Sequence, residues 1–63
     1  KLYDIAIELI QKVAPNCGEE IKDIELRQLL LSSGFTEREC SDTIYSLNRE
    51  GKIIKNNYVW RIL

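Results

Sequence analysis

The sequence predicts a small α+β domain in which three helices are followed by a β-hairpin at the C-terminal end. Two stretches with apolar residues at helical spacing precede a third that opens with a capping motif, and two runs rich in β-branched and aromatic residues flank a pair of asparagines near the end. A chain of 63 residues buries only about 60% of the surface that it exposes when unfolded, so residues 1–63 are expected to form one domain with one core.

The first helix is predicted to begin at Leu2 and to end before Pro15. Its apolar residues follow the i, i+3, i+4, i+7, i+8, i+11 spacing of a helix with one buried face. These residues are Leu2, Ile5, Ala6, Leu9, Ile10 and Val13. Proline excludes the helical conformation for the residue before it, so the helix ends there, and the loop that follows leads into a short extended stretch at 19–22.

The second helix is predicted to begin at Asp23, because a carboxylate at the N-cap accepts hydrogen bonds from free backbone N–H groups. It is expected to span about eleven residues, and Gly34 suits the left-handed position that closes a helix. Four of its side chains are expected to point inward: Ile24, Leu26, Leu29 and Leu30.

The third helix is predicted at 36–50. Thr36 and Glu39 form a capping box, in which each side chain binds the free backbone N–H of the other residue, and Phe35 is placed to pack against Cys40. Its inward residues are expected to be Cys40, Ile44 and Leu47. Gly51 ends the helix.

A two-stranded hairpin is predicted from residue 52 to residue 63, with its turn at Asn56 and Asn57, because asparagine tolerates positive φ. Strand alternation places Tyr58, Trp60 and Ile62 on one face and Val59, Arg61 and Leu63 on the other. We expect Tyr58 and Trp60 to pack over helices one and three. An exposed Trp60 would instead indicate a protein contact or a base-stacking platform.

Only the three residues from Gly34 to Thr36 separate helices two and three, which is helix-turn-helix spacing with glycine in the turn. A hairpin beside such a unit is the winged-helix arrangement. The predicted fold class is therefore α+β, a winged helix-turn-helix with three helices and a C-terminal β-hairpin wing. The alternative is a small α+β core with no special partner.

Three stretches carry a family resemblance: GFTERE at 34–39, IxxLxxEGKI at 44–53 and NYVWR at 57–61. Together they resemble the C-terminal winged-helix domain of archaeal minichromosome maintenance (MCM) helicases, and nearly the whole chain follows that pattern. The resemblance implies a regulatory accessory domain of a DNA-replication helicase, which modulates the motor and contacts DNA. It implies no ATPase residues, and the sequence contains no glycine-rich phosphate loop.

A second resemblance is local. IYSL at 44–47, Gly51-Lys52 and Trp60 are similar to the Z-nucleic-acid-binding (Zα) winged helices. That family places Lys and Asn where this chain has Glu37 and Ser41, and prolines where it has the two asparagines of the turn. Tyr45 and Trp60 alone carry over, as nucleic-acid contacts that the resemblance implies.

Charge is unevenly distributed along the chain. The formal net charge is −1, which by itself argues against tight binding to nucleic acid, because non-specific affinity comes mainly from neutralised phosphates. Residues 1–50 contain six basic and ten acidic residues, a net charge of −4, whereas residues 51–63 contain three basic residues and no acid. The sequence therefore places its basic charge at the C-terminal end.

Eight residues are predicted to contact DNA. On the outward face of helix three and its flank they are Arg38, Ser41, Tyr45, Asn48 and Arg49, side-chain types that reach base edges or phosphates. On the hairpin they are Lys52, Lys55 and Arg61, with Asn56 and Asn57 at the tip, and this group is the better phosphate candidate.

Each group has an alternative explanation. The helix face is otherwise a solvated surface on which Arg38 pairs with Asp42 and the acids Glu37, Glu39, Asp42 and Glu50 repel a duplex. The hairpin lysines and arginine otherwise protect an edge strand from pairing with other chains. Similarly, the acidic run Glu19, Glu20, Asp23 and Glu25 either solvates a loop and a helix start or docks a basic partner.

The absence of histidine and the presence of only two cysteines exclude a zinc-stapled core and histidine-based catalysis. We expect no catalysis and no cofactor or metal. Cys40 is expected to be inert in the core and Cys17 exposed in a loop, both reduced, although a single disulfide is the alternative. With no targeting or membrane segment recognisable, we expect an intracellular protein, cytoplasmic or nucleoid-associated.

The sequence starts at Lys1 and contains no Met, so we expect it to be a fragment of a larger protein. Its expected function is that of a non-catalytic accessory domain of a DNA-replication protein, which binds DNA weakly and regulates the parent. The expected partners are DNA and the remainder of the parent or another protein, with no membrane. The alternatives are a protein-interaction module of the same fold and a Zα-like nucleic-acid binder.

Overall fold

The computed structural model describes all 63 residues. The elements are α1 (Leu2–Val13), β1 (Glu20–Lys22), α2 (Asp23–Ser32), α3 (Glu37–Arg49), β2 (Ile53–Asn56) and β3 (Val59–Ile62). The strands form one antiparallel sheet in the order β1-β3-β2, so the predicted hairpin gains a third strand from the stretch at 19–22. The chain is an α+β domain, as predicted, and its architecture is compatible with a winged helix.

The core lies between the three helices and the inner face of the sheet. Its largest fully buried side chains come from α2, α3 and β2, and they are Leu26, Leu30, Cys40, Leu47 and Ile53. The predicted inward face of α3 is confirmed, because Cys40, Ile44 and Leu47 are all buried. None of the helices has the length and the apolar run that crossing a bilayer requires.

α1 has the predicted span, and half of its predicted inward face is confirmed. Ala6 and Ile10 are buried and Leu9 packs partly against the core, as do Tyr3 and Ile7 on the adjoining stripe, whereas Leu2, Ile5 and Val13 are exposed. The prediction was wrong for those three residues because α1 has apolar residues on two adjoining stripes, and helical periodicity alone does not choose between them.

α2 begins differently from the prediction. Lys22 is the N-cap and makes no side-chain cap bond, while Asp23 is the first helical residue and its backbone N–H donates to the Tyr58 carbonyl at 2.9 Å. Asp23 is therefore not the N-cap that was predicted, because the hairpin supplies the acceptor. Ile24 is also wrongly predicted, since it is 63% exposed while Leu26 and Leu30 are fully buried.

The turn between α2 and α3 and the start of α3 follow the prediction. Gly34 has a φ of +100°, a conformation that side chains other than glycine rarely adopt. The Thr36 hydroxyl accepts from the Glu39 N–H at 3.1 Å, and the Glu39 carboxylate accepts from the Thr36 N–H at 2.9 Å, which confirms the capping box. Phe35 is buried just before this cap, in the same core cluster as Cys40.

The hairpin turn is displaced by one residue. Asn56 pairs with Val59, so the turn residues are Asn57, with a φ of +63°, and Tyr58. This displacement puts Tyr58 at the tip, where it is 85% exposed, and the prediction that it packs over the helices is wrong. Trp60, by contrast, is only 6% exposed and belongs to the core cluster.

Candidate nucleic-acid interface

The outward face of α3 presents four of its five predicted contact residues to solvent without a bond to another element. They are Arg38, Tyr45, Asn48 and Arg49. The Arg49 guanidinium lies 5.7 Å from the centre of the Tyr45 ring, so cation–π attraction holds the two side chains together. This pair is an aromatic surface with a positive edge.

Arg38 pairs with Asp42 at 3.7 Å, as the alternative for the helix face predicts. The two side chains are 90% and 71% exposed, and an ion pair so open to water contributes about 0.5 kcal/mol or less. A phosphate is able to compete for Arg38, but the Asp42 carboxylate stays beside it.

Ser41, the fifth predicted contact of α3, makes a hydrogen bond within the chain. Its hydroxyl accepts a hydrogen bond from Arg27 Nη1 at 3.0 Å, which links α3 to α2. The Arg27 Nε also donates to Asp23 at 3.0 Å. Arg27 was not singled out by the sequence, although its i, i+4 spacing from Asp23 was a usable signal.

The acidic residues of α3 and its C-terminal end remain close to the candidate contacts. Glu39 is used in the capping box, and Glu50 accepts a hydrogen bond from the Tyr3 hydroxyl at 3.2 Å. Partial burial, together with the charge and hydrogen bond of Glu50, raises the pKa of Tyr3. These contacts neutralise neither carboxylate. Both would repel phosphates, so inserting α3 into a major groove remains electrostatically unfavourable.

The three basic residues of the hairpin do not form one surface. Lys55 pairs across the sheet with Trp60, and its Nζ lies 5.0 Å from the centre of the indole ring. Arg61 points to the opposite face of the sheet and donates to Glu20 at 3.2 Å. Lys52 precedes β2, beside Ile7 and Leu63, and no carboxylate pairs with it. Lys52 and Lys55 are therefore the hairpin cations without a carboxylate partner.

Trp60 is held by an ionised carboxylate. Its indole N–H donates to one Asp23 oxygen at 2.7 Å, while Arg27 occupies the other oxygen at 3.0 Å. Burial raises the pKa of Asp23, but the hydrogen bonds from Trp60 and Arg27, with the charges of Arg27 and Lys55, lower it more, so the net pKa lies below the usual value. The negative charge of Asp23 is thus committed to internal contacts.

The acidic run at the start of the sheet is mostly engaged within the chain. Glu19 accepts from the Asn16 N–H at 2.9 Å, Glu20 pairs with Arg61, and Asp23 holds Trp60. Of the four acids, Glu25 alone makes no such bond. The arrangement favours local stabilisation of the loop and strand over a docking patch for a basic partner.

The two cysteines lie in different environments, as predicted. Cys17 is exposed and Cys40 is buried, and they are not joined. Burial raises the pKa of the Cys40 thiol, so this side chain stays protonated and packs as a small apolar group.

Comparisons with protein-family models, curated proteins and solved structures find no match for this chain.

Proposed function

We propose that this chain is a winged-helix accessory domain of a DNA-replication protein, which binds duplex DNA weakly through its phosphates and regulates the protein that carries it. The order of helices and strands supports this fold assignment, as do the tight turn at Gly34 and the hairpin packed beside α3. The resemblance to the accessory domain of MCM helicases supports the replication context. The domain itself performs no catalysis.

The DNA-binding proposal rests on the cations that have no carboxylate partner. Among the predicted contacts, Arg38 is paired with Asp42 and Arg61 with Glu20, whereas Arg49, Lys52 and Lys55 are not ion-paired. Lys52 and Lys55 are three residues apart near an extended strand, about 10 Å along it, so they would bind separate phosphates. Phosphate contacts of this kind position a protein without reading its sequence.

The test is a salt titration of duplex binding by fluorescence anisotropy. Each phosphate contact contributes about 0.9 to the slope of log affinity against log salt, so replacing both Lys52 and Lys55 by Ala should lower that slope by up to about 1.8. The matched control replaces Lys1, which precedes α1, and Lys12 in its last turn, which removes the same charge elsewhere and should leave most of the slope intact. Equal losses in the two double variants would mean that net charge alone attracts DNA.

Arg49→Ala should weaken binding less than the double lysine change, because the acids around α3 keep that helix away from the groove. Asp42→Asn should improve affinity modestly, since it removes a carboxylate and frees Arg38. A larger loss from Arg49→Ala, accompanied by altered sequence preference, would contradict the assignment to the hairpin and place α3 in the groove.

The second candidate function is protein interaction, and the exposed stripe of α1 favours it. Leu2, Ile5 and Val13 are apolar, lie on one side of the helix and face solvent. Duplex binding that stays undetectable at 20 mM salt would favour this function over the first. The Zα-like alternative has less support, because Trp60, one of the two residues that carry it, is buried with its N–H bonded to Asp23.

A further inference from the structure

The hairpin tip carries the most exposed large apolar side chain of the protein. Tyr58 is 85% exposed, and its hydroxyl makes no hydrogen bond within the chain. Ile24 at the start of α2 is 63% exposed and lies beside it. An aromatic ring and an aliphatic side chain held in water on a small domain lose the free energy that burial would supply, so a ligand that covers them gains it.

The tip is positioned by backbone bonds rather than by its side chain. The Tyr58 carbonyl accepts from the Asp23 N–H at 2.9 Å, and the next residue, Val59, pairs with Lys22 of β1. The backbone of Tyr58 is thus tied to two neighbouring elements while its ring remains uncovered. A ring presented in this way binds a flat partner with little loss of backbone entropy.

A shallow cleft adjoins the ring. It is lined by Lys22, Asp23, Ile24, Tyr58 and Val59. Both carboxylate oxygens of Asp23 in this lining already accept hydrogen bonds, one from the Trp60 N–H and the other from Arg27. Lys22 is exposed at the rim. Lys55 does not line the cleft: it pairs with Trp60, on the opposite face of the sheet from Lys22, and its Nζ lies over the Trp60 ring. The apolar floor is therefore bordered by one cation, Lys22, that has no ion-pair partner.

An aromatic platform beside a cation is the combination that binds single-stranded nucleic acid, where bases stack on rings and phosphates contact cations. A duplex offers no free base face to the tip, because its bases are stacked on one another. A protein interface normally covers about 800 Å² on each side, which is far more than the few side chains around Tyr58 provide.

We infer that the hairpin tip is a stacking site for one unpaired base of single-stranded DNA, with Tyr58 as the platform and Lys22 as a phosphate contact. This inference rests on the proposed DNA-binding function and extends its substrate from duplex DNA to DNA that also contains unpaired nucleotides. Such DNA occurs wherever a replication enzyme has opened a duplex.

The experiment measures the affinity of the full chain for three probes: dT12, an abasic 12-mer with the same phosphates, and a 12-base-pair duplex. Wild-type protein should bind dT12 more tightly than the abasic strand. Tyr58→Ala should lower dT12 affinity by about 5- to 140-fold, the range for loss of one stacked base, and remove the preference for dT12 over the abasic strand. Tyr58→Phe, which keeps the ring, should retain the preference.

Two further measurements separate stacking from other effects. Val13→Ala, a change at an exposed apolar residue of α1, should leave dT12 affinity unchanged. The ring-proton resonances of Tyr58 should move upfield on adding dT12 and stay in place on adding the abasic strand. Because Tyr58 is outside the core, its variants should keep the wild-type circular dichroism.

Failure of the inference differs from failure of the proposed function. If duplex binding depends on Lys52 and Lys55 but Tyr58→Ala leaves dT12 affinity unchanged, the stacking site is overturned and the tip is left to a protein contact. If none of the probes binds at 20 mM salt, the proposed function fails and the stacking site fails with it. Equal losses for dT12 and duplex in Tyr58→Ala also overturn stacking.

Discussion

Asp23→Ala should destabilise the protein more than any other removal of a surface charge. The Asp23 carboxylate accepts the N–H of Trp60, whose side chain is buried, and a second bond from Arg27. In the wild-type protein every buried side-chain nitrogen and oxygen has a hydrogen-bond partner. Alanine at position 23 would leave the indole N–H without one.

The magnitude follows from these two contacts. A buried donor left without its acceptor costs about 1–3 kcal/mol. The Asp23–Arg27 pair, with side chains 27% and 39% exposed, adds about 0.5 kcal/mol. The total is about 1.5–3.5 kcal/mol, which lowers the midpoint of thermal unfolding by roughly 6–28 °C in a domain of this size. Asp23→Asn keeps an acceptor oxygen for Trp60 and should cost about 1 kcal/mol.

Urea unfolding followed by Trp60 fluorescence and by circular dichroism at 222 nm measures the free energy of unfolding. The matched control is Asp42→Ala, which removes a carboxylate from an exposed pair at 3.7 Å and should change stability by about 0.5 kcal/mol or less. Equal stabilities of Asp23→Ala and Asp42→Ala would refute the reasoning, because the Trp60 bond would then contribute nothing.

The same bond predicts a pH dependence. The pKa of Asp23 is lower in the folded protein than in the unfolded chain, so the folded state favours the ionised form. Its contribution to stability is therefore complete above the unfolded value of about 3.9 and is lost as pH falls through the lower folded pKa. The stability difference between wild type and Asp23→Asn should be constant from pH 7 to pH 5 and should shrink in strong acid.

Three further outcomes are expected. Gly34→Ala should cost about 1–2 kcal/mol in urea unfolding from backbone strain alone, because φ is +100° there and no atom lies within 4 Å of the added carbon; an unchanged stability would contradict this. Ellman's reagent should modify Cys17 at once and Cys40 only on unfolding; fast reaction of both would contradict the buried position of Cys40. Glu50→Gln should lower the pKa of Tyr3 in a spectrophotometric titration, and an unchanged value would contradict the Tyr3–Glu50 bond.

The parts of the fold that could be predicted are those that local chemistry decides. Pro15 ends α1, the Thr36–Glu39 pair starts α3, and glycines at 34 and 51 take positive φ where the helices stop. In each case the signal and its effect lie within a few residues of each other. The face that α1 buries could not be predicted, because it depends on which neighbours pack against the helix.

The candidate site was harder to predict, since its main features depend on strand register. Moving the turn from Asn56-Asn57 to Asn57-Tyr58 exposes Tyr58. A sequence with two adjacent asparagines is compatible with either turn. The choice is settled by pairing with β1, because the Asp23 N–H bonds to Tyr58 and Lys22 pairs with Val59. That third strand was predicted only as an extended stretch.

Hydrogen bonds between residues that are far apart in the sequence also cannot be predicted from the local sequence pattern. Trp60 reaches Asp23 across 37 positions, and Arg27 reaches Ser41 across 14. Charge counts place three cations on the hairpin, yet Arg61 is paired with Glu20 and faces away from Lys55. Composition identifies the basic segment, but only the register shows which of its charges are free.

The bonds around Asp23 join the sheet to both helices of the helix-turn-helix unit. Trp60 connects β3 to α2 through Asp23, and Arg27 connects α2 to α3 through Ser41. The relative position of the hairpin lysines and of α3 therefore depends on this chain of contacts as well as on the apolar core. A substitution at Asp23 or Arg27 that weakens DNA binding acts through position, because these side chains are already bonded internally. Such a loss should be accompanied by a lower free energy of unfolding, whereas replacing Lys52 or Lys55 lowers the slope of the salt titration without breaking any of these internal bonds.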